Sequence, residues 1–260
     1  RLSGSVVVSS GPLTFARYAF PPNALGYCGP EDHGALLEYA DAGVVDGGLR
    51  DLALGFSGAW PYLEIIAGAG RIDDPLDERV VDAYWIGNRL LDTVDRATFG
   101  ASLETRFRDR SGEGWEHLNP TVPGGGMPHH SFHVFAVYPW VGLLRSGAVA
   151  EPLHIIDRCR IRWGTVLATS ADQAVVRYQP LEWDGARIKL APACVETVRT
   201  HADGKSLAPT VHAGDTVAMH WDWVCGRLTP SQETRLRRYS AAMLDLVNAL
   251  PVPAPAAVLS

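Results

Sequence analysis

Residues 159–166, Cys159-Arg160-Ile161-Arg162-Trp163-Gly164-Thr165-Val166, and residues 213–220, Ala213-Gly214-Asp215-Thr216-Val217-Ala218-Met219-His220, bound a segment with the pattern of a small β-barrel. From Cys159 onward the pattern has period two: Ile161, Trp163 and Thr165 alternate with Arg160, Arg162 and Gly164. The same alternation returns at 174–178, 187–190, 196–199 and 216–220, which predicts about five short strands. Asp184-Gly185 is a hairpin-turn signal. Thr229 or Ser231 caps a final helix, and Pro251 to Pro255 reads as an extended tail. Five short strands and one helix predict a small OB-like β-barrel over 151–260 with a closing helix. On this reading the Cys159 thiol opens one strand and the His220 imidazole ends another. Meeting at one rim of the barrel, they give a soft ligand and a nitrogen ligand facing one iron-sized position. Asp222 is the candidate carboxylate to orient the imidazole. The plainer alternative makes Cys159 a small buried hydrophobe and His220 a satisfied strand-end residue.

Upstream, residues 12–146 read as helical. One helix is expected from Gly29-Pro30-Glu31-Asp32 to Gly43, a second over Leu49–Ala67 with a kink at Pro61, a third over Asp77–Val94 and a fourth over Ala101–Arg108. Residues 109–127, with Gly112, Gly114, Pro120, Pro123 and Gly124-Gly125-Gly126, read as loop. Pro128 then opens a fifth helix carrying His129 and His133 at i and i+4, a spacing that suits a metal pair, with His130 pointing elsewhere. Cys28, Glu31, His33 and His117 are candidate third ligands. Cys28 lies just ahead of an expected helix N-terminus, where a thiolate is stabilised, which makes it a candidate catalytic thiol with a histidine as base. The same histidines also fit an aromatic core helix among Phe132, Phe135, Tyr138 and Trp140. Trp60, Trp85, Trp115 and Trp140 are expected to serve packing. The domain boundary is expected at Ala150-Glu151-Pro152, giving a helical domain over 1–150 and the barrel over 151–260, an α+β protein.

The chain has 260 residues, enough for a sizeable core, with 47% hydrophobic and 20% charged residues. Its net charge of -6 argues against nucleic acid as a partner. Cys28, Cys159, Cys194 and Cys225 form no C-x-x-C pair and no disulfide framework. Reduced thiols, the lack of a charged-then-apolar leader and the lack of an 18-residue apolar run lead to the expectation of a cytoplasmic protein without membrane partners. No Walker-type, strand-linked GxGxxG or GxSxG motif is present.

Residues 158–250 resemble the small iron-carrying assembly chaperone family of nickel–iron hydrogenase maturation. The resemblance is carried by Cys159, Ile161, Gly164 and Val166, then Gln173-Ala174-Val175-Val176, loosely by Ile188-Lys189-Leu190, and then by Gly214-Asp215-Thr216-Val217-Ala218-Met219-His220. It implies a chaperone-like accessory protein that binds an iron fragment with cyanide and carbon monoxide ligands, or the hydrogenase large-subunit precursor and other maturation proteins. Cys159 and His220 would be the iron-contacting residues. The chain departs from the family in carrying its cysteine in mid-chain, so no free α-amine takes part, and in having Trp163 where the family has proline. The whole chain also resembles an uncharacterised bacterial family with Gly26-Tyr27-Cys28-Gly29-Pro30 and His129-His130-Ser131-Phe132-His133 motifs. The alternative from the residues alone is a metal- or thiol-dependent enzyme whose site lies in the helical half at Cys28, His33, His129 and His133.

Overall fold

The computed structural model describes residues 10–111 and 118–250. His117 and Trp115, the glycines at 112 and 114, and the tail from Pro251 lie outside the described residues. The protein is of mixed α and β class, with the helices first and the strands in the second half.

Helix α1 spans Gly11–Ala24 and is buried on nearly every side from Leu13 to Asn23, with Arg17 and Asn23 as its buried polar residues. Ser10 caps it by accepting from the Leu13 N–H at 3.4 Å. Helices α2 (Ala35–Ala42), α3 (Gly47–Leu54) and α5 (Glu78–Trp85) pack on it, and α4 (Trp60–Gly70) packs on α5. The expected helix at Pro30 starts only at Ala35, because the Asp32 carboxylate takes the Gly34 and Ala35 N–H groups (3.2 and 3.1 Å) and fixes the start there. The expected Leu49–Ala67 helix is two helices, and Pro61 sits in the first turn of the second rather than at a kink. The expected 77–94 helix ends at Trp85, with Gly87 at φ 94°, and resumes as a 3-10 turn over Arg89–Thr93. Helix α6 runs longer than expected, Arg96–Ser111.

The histidine segment departs most from a regular helix. His129 has extended backbone (φ −118°, ψ 146°) and is the N-cap, not a helical residue. A single α-turn, α7 (His130–Phe132), passes into a π-turn over His133–Val137, and α8 follows at Trp140–Arg145. Helix α9 occupies Ala150–Cys159, where a boundary was expected. Pro152, Ile155, Ile156 and Cys159 recur at i, i+3, i+4 and i+7 on its buried face. Cys159 is therefore the last residue of a helix and not the first of a strand.

Among the described residues nine strands follow: β1 Arg162–Thr169, β2 Gln173–Tyr178, β3 Leu181–Trp183, β4 Ile188–Leu190, β5 Cys194–Arg199, β6 His201–Ala202, β7 Lys205–Ser206, β8 Thr216–His220 and β9 Trp223–Arg227. Five close on one another in the order β1-β2-β5-β9-β8; all pairs are antiparallel except β5 with β9, which meet in parallel at Arg199 and Trp223. Gly164 is required in β1, since a Cβ there would lie 2.7 Å from the Arg177 carbonyl. The Asp184-Gly185 turn joins β3 to β4, with Gly185 at φ 96°. Strand β9 was not anticipated: Trp223-Val224-Cys225 is buried throughout and shows no alternation. Thr229 and Gln232 form a capping box at the start of the closing helix α10, Pro230–Ala249.

Two cores result. Val166, Val176, Val198, Val217, Met219 and Val224 fill the barrel interior. The larger core runs from α1 through the helices to Ile161, Trp163, Ala218, Trp221 and Trp223 on the barrel's outer face, and on to Leu236 and Met243 of α10. Along β8, Val217 and Met219 point into the barrel while Ala218 belongs to the larger core. His220 follows Ala218 in that alternation and meets the helices. No helix among the described residues is long and apolar enough to cross a membrane.

Candidate metal centre

Cys159 and His220 stand together, and His130 joins them. One ligand atom from each lies within 4.8 Å of the others, and all three residues are buried. The group sits not at a rim of the barrel but at the seam between its outer face and the helices. It lines a chamber of about 110 Å³ walled by Ala19, Phe56, Tyr84, Trp85, Tyr138 and Trp140, with Cys28 and His133 also on its surface.

Hydrogen bonds fix both cluster imidazoles. A carbonyl only accepts, so His130 Nε2 carries the proton and donates to the Cys159 carbonyl at 2.8 Å. Its Nδ1 faces the Tyr84 hydroxyl at 3.4 Å. His220 likewise donates from Nδ1 to the Tyr18 carbonyl of α1 at 2.6 Å. Its Nε2 is then a bare lone pair, buried without a hydrogen-bond partner. An imidazole that donates one N–H to a backbone carbonyl and leaves the other nitrogen bare is the arrangement of a metal-bound histidine. The rings of His130 and His220 meet edge to face at 5.1 Å, and Trp85 packs on both.

Burial keeps the chamber uncharged. It lowers His130 to about 4 and His133 to about 3, and takes His220 well below its ordinary range. Burial, and next the neighbouring Cys28, push the Cys159 thiol well up. Burial alone pushes Cys28 to about 12. An entering cation must therefore displace a thiol proton, as metal binding does in general.

The donor set passes a size test. Metal–sulfur and metal–nitrogen bonds of about 2.3 and 2.1 Å hold three donors about 3.5–3.8 Å from one another around one ion. The three atoms here lie within 4.8 Å, so a closure of at most about 1 Å brings them onto one ion. Thiolate with imidazoles suits a transition metal rather than magnesium or calcium.

The other expected residues are placed as follows. His129 and His133 do not share a helix face, because the helix starts two residues later than expected and His129 is its extended N-cap. His129 Nδ1 accepts from the Ser131 N–H at 3.1 Å, so its buried, unpartnered Nε2 is an N–H and not a lone pair, and the ring stacks on Tyr239. His133 bonds Tyr62 through Nδ1 at 3.1 Å and packs on Tyr138. Cys28 has no helix dipole to lower its pKa, since α2 begins seven residues on. Its loop is held by Asn23, whose Nδ2 donates to the Cys28 and Pro30 carbonyls (2.9 and 2.8 Å), and by Gly29, where a Cβ would strike Phe56 at 2.4 Å. Glu31 and His33 are exposed. Asp222 does not orient His220; it is solvent-exposed and pairs with Arg158 at 3.2 Å, and the Tyr18 carbonyl takes its expected role. Tyr27, half exposed, stacks over Trp221 at 4.5 Å, and both line the chamber.

Behind the cluster, Arg162 of β1 is fully buried and ion-paired to Glu196, and it donates to the Trp221 carbonyl. Arg158 adds a bond to Glu196 at 2.6 Å. Trp221 holds φ 50°, so this network fixes a left-handed residue directly after His220.

The chain belongs to the DUF6390 family, a family of unknown function, whose model matches residues 7–253. No curated protein and no solved structure matches it.

Proposed function

We propose that this protein is a cytoplasmic, chaperone-like accessory protein of nickel–iron hydrogenase maturation that holds an iron fragment at His130, Cys159 and His220. The observation that carries the reading is the buried cluster in which one donor atom each of His130, Cys159 and His220 lies within 4.8 Å of the others, with His220 Nε2 left without a hydrogen-bond partner. In this reading the closed ring β1-β2-β5-β9-β8 is an OB-like barrel. The iron is cargo: a soft thiolate favours low-spin ferrous iron, and the aromatic chamber gives its cyanide and carbon monoxide ligands dry surroundings. The chain itself supplies two imidazoles preset by the Cys159 and Tyr18 carbonyls, excludes water with Trp85 and Trp221, and releases one thiol proton on loading. The receiving partner is the hydrogenase large-subunit precursor.

The test is anaerobic purification with elemental analysis and infrared spectroscopy. Wild type is expected to carry iron and to show bands of iron-bound cyanide or carbon monoxide. Cys159→Ser and His220→Gln are expected to lose iron and bands while keeping their circular dichroism. Full iron content in folded Cys159→Ser overturns the reading. A second reading, a metal- or thiol-dependent enzyme, is favoured by Cys28 and His133 lining this same chamber. It predicts a metal without infrared bands, and a Cys28 thiol essential to turnover but not to metal content.

A further inference from the structure

A second cleft, of about 630 Å³, opens between α1, the β8–β9 edge of the barrel and the start of α10. That is the size range of small-molecule sites, roughly 300–1,000 Å³. Its wall includes Arg17, Thr216, Gly226, Arg227 and Gln232. Arg17 is the unusual member. It comes from the middle of a core helix and is only 9% exposed. Its Nε is buried with no hydrogen-bond partner, and no ion pair reaches its guanidinium among the described residues.

An arginine cannot escape burial by losing its proton. A largely buried guanidinium without a counter-charge is unfavourable, and the other buried arginines here are paired. Arg160 pairs with Asp157 at 2.9 Å, and Arg162 pairs with Glu196. Asp215, the carboxylate on the cleft wall, is already engaged by the His212 N–H at 2.9 Å and forms no ion pair with Arg17. Arg227, at the rim of the cleft, is a second cation without an ion pair among the described residues. Gly226 beside it leaves open backbone, since a Cβ there would meet nothing within 4 Å.

We propose that this cleft binds a small oxyanion-bearing molecule, phosphate or carboxylate, with its anionic group seated on Arg17 and Arg227. The guanidinium fork matches two oxygens of such a group in parallel. The proposal is independent of the metal centre: none of the cluster residues lines this cleft.

The experiment titrates the full chain with inorganic phosphate and, separately, with succinate, both against sodium chloride at equal ionic strength. The readouts are the melting temperature and the arginine Nε–H signals in nuclear magnetic resonance. A saturable rise in melting temperature is expected with at least one anion, and which one identifies the source. The Arg17 Nε–H resonance is expected to move along the same binding curve. Arg227→Gln, at an exposed position, is expected to weaken the response about tenfold. Arg17→Met is expected to abolish it while melting no lower than wild type in chloride alone. If neither anion gives a saturable response beyond the chloride control, the proposal is wrong. It is equally wrong if Arg17→Met, or Arg227→Gln should the former not fold, responds as wild type does.

Discussion

The chamber and the cleft both use helix α1: Ala19 and Pro22 face the first, Thr14, Arg17 and Tyr18 the second. Burial acts on them in opposite ways. In the chamber every titratable group sheds its charge, so the histidines are neutral bases and the thiols are protonated. In the cleft the buried group is a guanidinium, which stays charged. On the readings proposed above, the neutral nitrogen and sulfur donors take a cation in exchange for a proton, and the fixed positive charge takes an anion. The region around Arg162 supplies the control, a buried arginine whose needs are met from within the chain.

The largest expected effect tests whether the chamber is neutral. The buried histidines have folded pKa values below the unfolded value near 6.5: about 3 for His129 and His133 and about 4 for His130, all lowered first by burial. Their depressed values mean that the unfolded chain binds more protons in acid. Stability is therefore full above pH 6.5 and falls as pH drops toward 4, by up to about 1.4 kcal/mol per pH unit for each histidine. Denaturant midpoints of metal-free protein at pH 7.5 and pH 5.5 check this; a flat profile would mean the rings are charged or wet. Next in size, Glu196→Leu strands Arg162 in the core and is expected to cost about 3–5 kcal/mol in urea unfolding. Arg17→Met sharpens the contrast by sign: with no ion pair to lose, its urea midpoint is expected to equal or exceed that of wild type. The smallest effect belongs to Asp222→Ala, whose exposed pair with Arg158 is worth less than about 1 kcal/mol and which leaves His220 anchored to Tyr18.

Strand β2 was legible because one of its faces is buried, and period two survives in its sequence. Strand β9 was not, because a strand buried on both faces reads as a plain apolar run. The adjacency of Cys159 and His220 was legible from their order along the chain, although Cys159 reaches its place at a helix end. The spacing of Pro152, Ile155, Ile156 and Cys159 carried that signal, and Pro152 was read instead as a boundary. His130 was passed over because a helix was assumed to begin at Pro128; the extended backbone at His129 turns the whole HHxxH segment. Its i, i+3 relation to His133 was the available hint, since both line the chamber. The Tyr18 carbonyl was beyond reach of any motif, because a backbone oxygen has no letter in the sequence.

Met219 and His220 are neighbours on β8, yet one belongs to the barrel interior and the other to the seam. A substitution at 217 or 219 is answered by the valines around it, and one at 218 or 220 by helices from as far upstream as Tyr18. Variation inside the barrel can thus accumulate without disturbing the donor atoms, and the chamber can change its taste in ligand without the barrel having to be rebuilt.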